Sequence, residues 1–498
     1  MSGPFRAAPP AYLAPSDEQS LAGLLRWAWK HGVPLIPRGA GTGMPGGNTG
    51  PHIIVEIGGP AFSRVGVLRD GPGGTGSIRA GVGATGLEAD LAARECAGFI
   101  PFLPSSGRWC SVGGMVANNA AGARSFRYGA AHAWVEALEG YFAWGEPFRA
   151  GPDGRGLEPF DRLHASLATS LPDGGRPLAG GWPKVRKNAS GYALDRFVPS
   201  GSPTDLLVGS EGTLAVLTAA ELRFAPLPAE RGVAVRRVSS AAELEDAASM
   251  ARDAGALSCE FLGRRFLELA GPRLGPRLRG LSRGAFALVI LEAAGSPGEV
   301  SAQLDAVTRV PGPGSRSVLA TRNPAEAGRL WEIRHAASRT IAREAEAGRY
   351  STQFIEDSVV PPGQLARYLV ELERILEAAR LDAVVFGHAG DANVHVNPLV
   401  PTRDTDWRAR LRKVFDAVTE LVAALGGTLS GEHGDGRLRA PALPRIWSPG
   451  WIRAFAEVKE TLDPKRILNP GVILAREGDG DPLDWLEPRP RAFPQADP

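Results

Sequence analysis

The chain has 498 residues, 43% apolar and 22% charged, with 56 Lys and Arg against 54 Asp and Glu and a formal net charge of +2. That length exceeds what one hydrophobic core serves, about 250 to 300 residues, so two or three domains are expected. Balanced charge provides no basic field to gather nucleic acid, and three cysteines without C-x-x-C spacing, Cys96, Cys110 and Cys259, exclude an iron–sulfur or Cys-rich zinc site within the sequence.

No apolar run approaches the ~18 residues of a membrane span, and Met1 to Pro15 lack the basic-then-apolar order of a signal peptide. With no disulfide framework expected, the reading is a cytoplasmic protein, with room for peripheral membrane attachment through a partner. The 63 Gly and 42 Pro call for abundant loops.

In chain order, Ser16 and Gln19 have capping-box spacing, and Leu21, Leu24, Leu25 and Ala28 predict a helix over 17–31 that Pro34 stops. Strands follow over 34–37 and 53–57, flanking a loop from Arg38 to Gly50 that holds six glycines. Further strands are predicted around 205–208 and 214–217, bracketing the turn Gly209-Ser-Glu-Gly212, and Pro226 and Pro228 mark a domain boundary. Beyond it come a helix over 241–254, a strand over 285–291, helices over 299–307, 324–347 and 362–379, a strand over 383–386 and a helix over 407–425. The expected class is therefore α+β, with domains over 1–228, 229–465 and 466–498 and an extended or disordered tail from Gly478.

Gly41-Thr-Gly43-Met-Pro-Gly46 matches the dinucleotide fingerprint G-x-G-x-x-G. A nicotinamide-binding turn of that kind must open a helix at its third glycine, whereas Pro45, Gly46, Gly47, Gly50 and Pro51 forbid one and a strand follows. A loop so rich in glycine can instead aim successive N–H groups at a pyrophosphate, with Arg38 adding charge.

The segment Pro37-Arg38-Gly39-Ala40-Gly41-Thr42-Gly43 with Gly46 and Gly47 resembles the pyrophosphate loop of the PCMH-type (vanillyl-alcohol oxidase) FAD-binding fold. Ser111 to Arg127, with Gly113-Gly114, Asn118 and Gly122, resembles that family's second FAD stretch. Gly209-Ser-Glu211-Gly212-Thr-Leu214 resembles the third, and Leu468-Asn469-Pro-Gly471 the C-terminal return to the cofactor. The resemblance implies a two-subdomain FAD-binding domain followed by an α+β substrate (cap) domain. Thr42 and Gly43 stand where some relatives carry a flavin-linking histidine, so FAD is expected to be non-covalent.

Three of only eight histidines fall in two short motifs, Gly387-His388-Ala-Gly-Asp391-Ala392-Asn393-Val-His395-Val-Asn397 and Gly431-Glu432-His433-Gly-Asp435-Gly436. Two imidazoles plus the Glu432 carboxylate make a three-ligand set with open positions, the arrangement of a catalytic metal; Zn²⁺ suits it, and Mn²⁺ or Fe²⁺ are alternatives. Both motifs resemble the D-2-hydroxy-acid dehydrogenase branch of the fold, which holds D-lactate dehydrogenases, D-2-hydroxyglutarate dehydrogenases and the flavin subunit of glycolate oxidase. The resemblance implies His388, His395 and Glu432 as metal ligands and His433 as base and substrate contact. One departure is Ala392, where the family has glycine. Trp331-Glu-Ile-Arg334 resembles the family's W-x-x-R segment, which implies Arg334 as the substrate-carboxylate clamp, assisted by Asn397.

The implied reaction oxidises a small D-2-hydroxy acid to the 2-oxo acid, and Ile355 in place of the lysine of dicarboxylate-specific relatives favours lactate or glycolate. Electrons are expected to leave for a separate acceptor, which could be an iron–sulfur subunit, a cytochrome, a quinone or an electron-transfer flavoprotein; a homodimer is also open. Three alternatives stay open: a flavin subunit of a glycolate oxidase-like complex with little activity of its own, a D-2-hydroxyglutarate dehydrogenase, and, more remotely, a metal-dependent hydrolase.

Overall fold

The computed structural model describes residues 8–151, 157–171, 182–271, 274–308, 318–335, 337–401 and 403–487. The chain divides into two compact units. The first extends to Leu227 and resumes over Gly426–Pro482, and the second takes Pro228–Leu425 and resumes at Leu483.

In the first unit, helix Glu18–His31 starts one residue later than the Ser16 and Gln19 spacing predicts. Asp17 is the cap, accepting from Ser20 N at 2.7 Å, while the Ser20 hydroxyl accepts from Asp17 N at 3.1 Å. Leu21, Leu25 and Ala28 are buried on one face, and Gly32 ends the helix at φ 64°. A parallel three-stranded sheet places Ile53–Glu56 between Tyr12–Leu13 and Leu35–Arg38, and Leu35 bridges onward to Leu468.

A six-stranded antiparallel sheet in the same unit runs in the order Val65–Gly71, Thr75–Gly81, Val216–Pro226, Val135–Tyr141, Pro147–Ala150, and Gly98–Phe99 pairs with Val216–Pro226. The predicted strand at 205–208 is instead part of a helix, Pro203–Leu207. A three-residue apolar run, Leu206 to Val208, reads either way, and Pro203 at the first turn with Leu206 and Leu207 buried decides for the helix.

Residues 426–465 pack with the first unit, so the main stretch of the second unit ends at Leu425 and not near 465. The physical reason lies in helix Pro449–Leu462, whose Trp451, Phe455, Val458 and Leu462 share a hydrophobic core with Phe160, Leu163 and Phe197.

The second unit is built on an eight-stranded sheet in the order Val318–Thr321, Glu230–Val238, Ala287–Gly295, Ser258–Gly263, Asp382–His388, Asn393–Pro401, Arg349–Ser351, with Ser358–Val359 also pairing with Asn393–Pro401. Leu262, Leu288, Ile290, Val384 and Phe386 pack one face onto Phe266, Leu267, Leu278, Leu281, Leu330 and Ile341. Helix Leu365–Ala378 packs on helices Ala241–Asp253 and Trp407–Ala424.

The helix predicted over 324–347 is broken into Pro324–His335, Ala337–Ala342 and a 3-10 turn at Arg343–Ala347. The tail is not extended from Gly478: a 3-10 turn forms at Pro482–Trp485 and Leu483 and Leu486 are buried, while 488–498 lie outside the described residues. All three cysteines are free thiols.

Candidate functional site

The loop after strand Leu35–Arg38 in the first unit is shaped to lie under a ligand. A Cβ on Gly39 would stand 2.0 Å from Ser111 Oγ, and one on Gly41, at φ 70°, would stand 2.2 Å from the Arg38 guanidinium. Ser111 caps helix Val112–Ala117, and its hydroxyl accepts from Gly114 N at 3.2 Å and from Ala40 N at 3.3 Å, joining the first and second glycine motifs. Arg38 Nε is buried without a hydrogen-bond partner, and burial lowers the guanidinium pKa. A guanidinium with an unsatisfied buried Nε beside a glycine cradle fits a diphosphate.

The remaining motif residues divide by role. Asn48 Nδ2 donates to Gly43 O at 3.0 Å, closing the loop that carries Thr42. Gly212, at φ 67°, lies against Pro37, Gly113 packs on Val82, Gly122 lies against the Leu103 carbonyl and Leu214 is fully buried, so these four build walls. Asn469 donates from Nδ2 to Gly47 O at 2.9 Å and to Glu211 O at 2.8 Å, tying the C-terminal motif to the first and third.

Glu211 sits at φ 51° and accepts from Asp435 N at 2.7 Å and Gly436 N at 2.9 Å, fixing the turn that follows His433. Burial first, then the charge of Asp435, pushes its carboxyl pKa up. Asn118 Nδ2 donates to the His433 carbonyl at 2.9 Å. Glu432 is buried and paired with the buried Lys187, Nζ to Oε2 3.1 Å.

The second unit brings another set of predicted residues onto one face of its sheet. Phe386 pairs with His395 and Val384 with Asn397 across antiparallel strands, and directly opposed residues share a face. The His388 and His395 rings are 5.1 Å apart at 79°. His388 Nδ1 meets Glu260 Oε1 at 2.6 Å, and His395 Nδ1 meets the Glu356 carbonyl at 2.8 Å. With acceptors at both Nδ1 atoms, each ring carries its proton there and presents Nε2 as the lone-pair nitrogen, the orientation of a metal-binding imidazole.

Arg334 donates from Nε to Glu260 Oε2 at 2.8 Å and lies over the Phe386 ring at 4.9 Å. Asn397 Oδ1 accepts from Ser351 Oγ at 3.1 Å. Ala392 takes the left-handed conformation, φ 52° and ψ 36°, that favours glycine.

Sequence reasoning missed Glu260, Glu356, Lys187 and Arg437. Glu260 left a signal, a lone carboxylate in the apolar strand Ser258–Gly263. The others lie in segments with no distinctive spacing.

Comparison with known proteins bears on the fold and the cofactor. A family model described as FAD binding domain matches residues 9–151, and one described as FAD linked oxidases, C-terminal domain, matches residues 227–473. These define an FAD-dependent oxidoreductase, which removes the hydrolase alternative.

The chain belongs to the FAD-linked oxidases. It is similar to the glycolate oxidase subunit GlcD of Bacillus subtilis, 27% identical with 95% of this chain and 90% of that protein covered. Similarity extends to a D-lactate dehydrogenase of Archaeoglobus fulgidus, at 28% with 93% and 90% covered. A D-2-hydroxyglutarate dehydrogenase of Pantoea ananatis is 27% identical over 94% of this chain but only 48% of that protein.

Among solved structures, alkyldihydroxyacetonephosphate synthase superposes with a TM-score of 0.64 at 16% identity, covering 92% of this chain and 76% of that one. The 4-ethylphenol oxidase of Gulosibacter chungangensis gives 0.63 at 16%, covering 93% and 88%. These two establish the fold alone. No helix among the described residues is long and apolar enough to cross a membrane.

Proposed function

We propose that this chain oxidises a small D-2-hydroxy acid, lactate or glycolate, to its 2-oxo acid. The observation that carries the proposal is the single face of the second unit on which Arg334, His388, His395 and Asn397 stand together, with both imidazoles turned to present Nε2.

In this reading Arg334 takes the substrate carboxylate on the Nη edge of its guanidinium, since Nε is engaged by Glu260. His388 and His395, with Glu432 as third ligand by the resemblance of its motif, would hold a divalent ion, Zn²⁺ or else Mn²⁺ or Fe²⁺. Such an ion would lower the pKa of the substrate hydroxyl, and FAD, held without a covalent link at the glycine cradle, would supply the hydride acceptor. His433 removes the hydroxyl proton at its imidazole. Asn397 steadies the substrate from the same face as His395.

The buried Ile355 stands where dicarboxylate-specific relatives carry a lysine, which supports a monocarboxylate. Electrons pass on to an acceptor outside the chain, and the protein works in the cytoplasm.

The test is anaerobic absorbance of the yellow protein near 450 nm, the approximate flavin maximum, over a panel of D- and L-2-hydroxy acids. Bleaching by D-lactate or glycolate is expected. A flavoprotein that no 2-hydroxy acid bleaches would overturn the assignment in favour of a subunit silent on its own.

A further inference from the structure

We infer that Glu260 is the positioning residue that fixes the substrate clamp and one metal ligand as a single unit. Its carboxylate is fully buried on strand Ser258–Gly263, with one oxygen on His388 Nδ1 at 2.6 Å and the other on Arg334 Nε at 2.8 Å. Arg334 is nearly buried as well, at 11% side-chain exposure. The inference rests on the roles proposed above for His388 and Arg334 and adds a residue that neither motif contains.

A buried carboxylate is costly unless its oxygens are satisfied by charged or hydrogen-bonding partners. A lone acid in a strand whose other residues are Ser258, Cys259, Phe261, Leu262 and Gly263 is therefore held in place by what it binds. Each oxygen does a separate task. The first fixes the His388 proton on Nδ1, so that Nε2 faces the ion, and makes the imidazole a stronger donor. The second anchors the guanidinium by its inner edge against the Phe386 ring, 4.9 Å below, leaving the fork geometry to the substrate.

Because one side chain sets both, the spacing between the His388 imidazole and the Arg334 clamp is fixed within this unit before any substrate arrives. Hydroxyl and carboxylate sit on adjacent carbons of a 2-hydroxy acid and are only one bond removed from each other. A rigid spacing selects them over 3-hydroxy acids.

The test uses Glu260→Gln, an isostere whose amide can accept from only one of the two donors. Three quantities are read on folded, FAD-loaded protein: Zn²⁺ affinity by competition with a chromogenic chelator, KM for D-lactate, and the KM ratio between D-lactate and 3-hydroxybutyrate. Zinc affinity should fall on the order of 10- to 100-fold, the usual effect of losing a ligand's outer partner, KM for D-lactate should rise, and FAD content should stay at the wild-type level.

Unchanged zinc affinity and KM in Glu260→Gln would overturn the inference, as would a loss of thermal stability alone. If that variant does not fold, Glu260→Asp, which keeps the charge but shortens the reach, takes its place: a fall in zinc affinity with a rise in KM supports the positioning role, and wild-type values for both overturn it. A wild-type chain inert towards every 2-hydroxy acid would sink the functional reading, and the zinc measurement would then judge Glu260 by itself.

Discussion

Arg437 donates from Nη1 to the carbonyl of Gly46 at 2.9 Å and, with the same nitrogen, to Thr49 O at 2.6 Å. Its Nη2 donates to Asn469 Oδ1 at 2.8 Å and Pro470 O at 3.0 Å. One buried guanidinium thus staples the glycine loop to the C-terminal motif, and burial lowers its pKa to about 10.

Arg437→Met is expected to release FAD and destabilise the protein by about 3 to 5 kcal/mol, since four acceptors lose a charged donor in the interior. Arg437→Lys should recover only part of this, because a point ammonium cannot span both pairs. Flavin absorbance per protein and denaturant unfolding measure both effects. Full flavin content in Arg437→Met would show that the loop holds its shape without the staple.

His433→Ala should retain flavin and slow bleaching by a 2-hydroxy acid by roughly 10²- to 10⁴-fold, the range for loss of a general base. Its carbonyl, held by Asn118, survives the substitution, so the loop geometry is kept. Anaerobic stopped-flow traces at saturating substrate decide the matter. Wild-type rates would move the base elsewhere.

Acid should weaken the fold through His132. Burial first, then the charge of Arg196, depresses its pKa from 6.5 to about 3, and its backbone N and Nδ1 meet Asn119 Oδ1 at 3.0 and 3.2 Å. A depressed folded-state pKa means that the unfolded chain binds the proton first, so its stabilising contribution is present above pH 6.5 and is lost as pH falls towards 3. Urea midpoints across that window should fall for the wild type and fall less for His132→Gln. Parallel curves would exclude His132 as the group responsible.

Ala392→Gly should raise the melting temperature slightly. The left-handed conformation at φ 52° costs an alanine about 1 to 2 kcal/mol, while the added freedom of an unfolded glycine costs about 0.4 to 1 kcal/mol. The net gain is about 0 to 1.6 kcal/mol. Zinc affinity should be unchanged, as no ligand atom moves.

The cradle was legible in the sequence because its chemistry is backbone chemistry. Glycine at 39 and 41 records where a Cβ would clash, and glycine at 46 a left-handed backbone, and that record is local. The paired histidines were legible for a similar reason, standing close in sequence at 388 and 395. Glu260 and Arg437 were not, since each acts on residues more than 70 positions away or on carbonyls that any residue supplies. The extent of the second unit was hidden likewise: helix Pro449–Leu462 shows an amphipathic pattern, but the pattern does not name Phe160 and Phe197 as the residues it covers. At 205–208 three apolar residues after Asp205 held too little information to separate strand from helix.

The pairing of Leu35 with Leu468 bears on how the protein is made. Ribosomal synthesis delivers the second unit's sheet, contained within Pro228–Leu425, in one uninterrupted stretch, whereas the first unit waits for its closing strand partner, for Arg437 and for Asn469. Domains fold as their residues emerge, so the middle of the chain can finish before the beginning does. Until then the glycine loop lacks the groups that hold it, and flavin capture becomes a late, post-translational event. Truncations short of Asn469 should yield colourless protein.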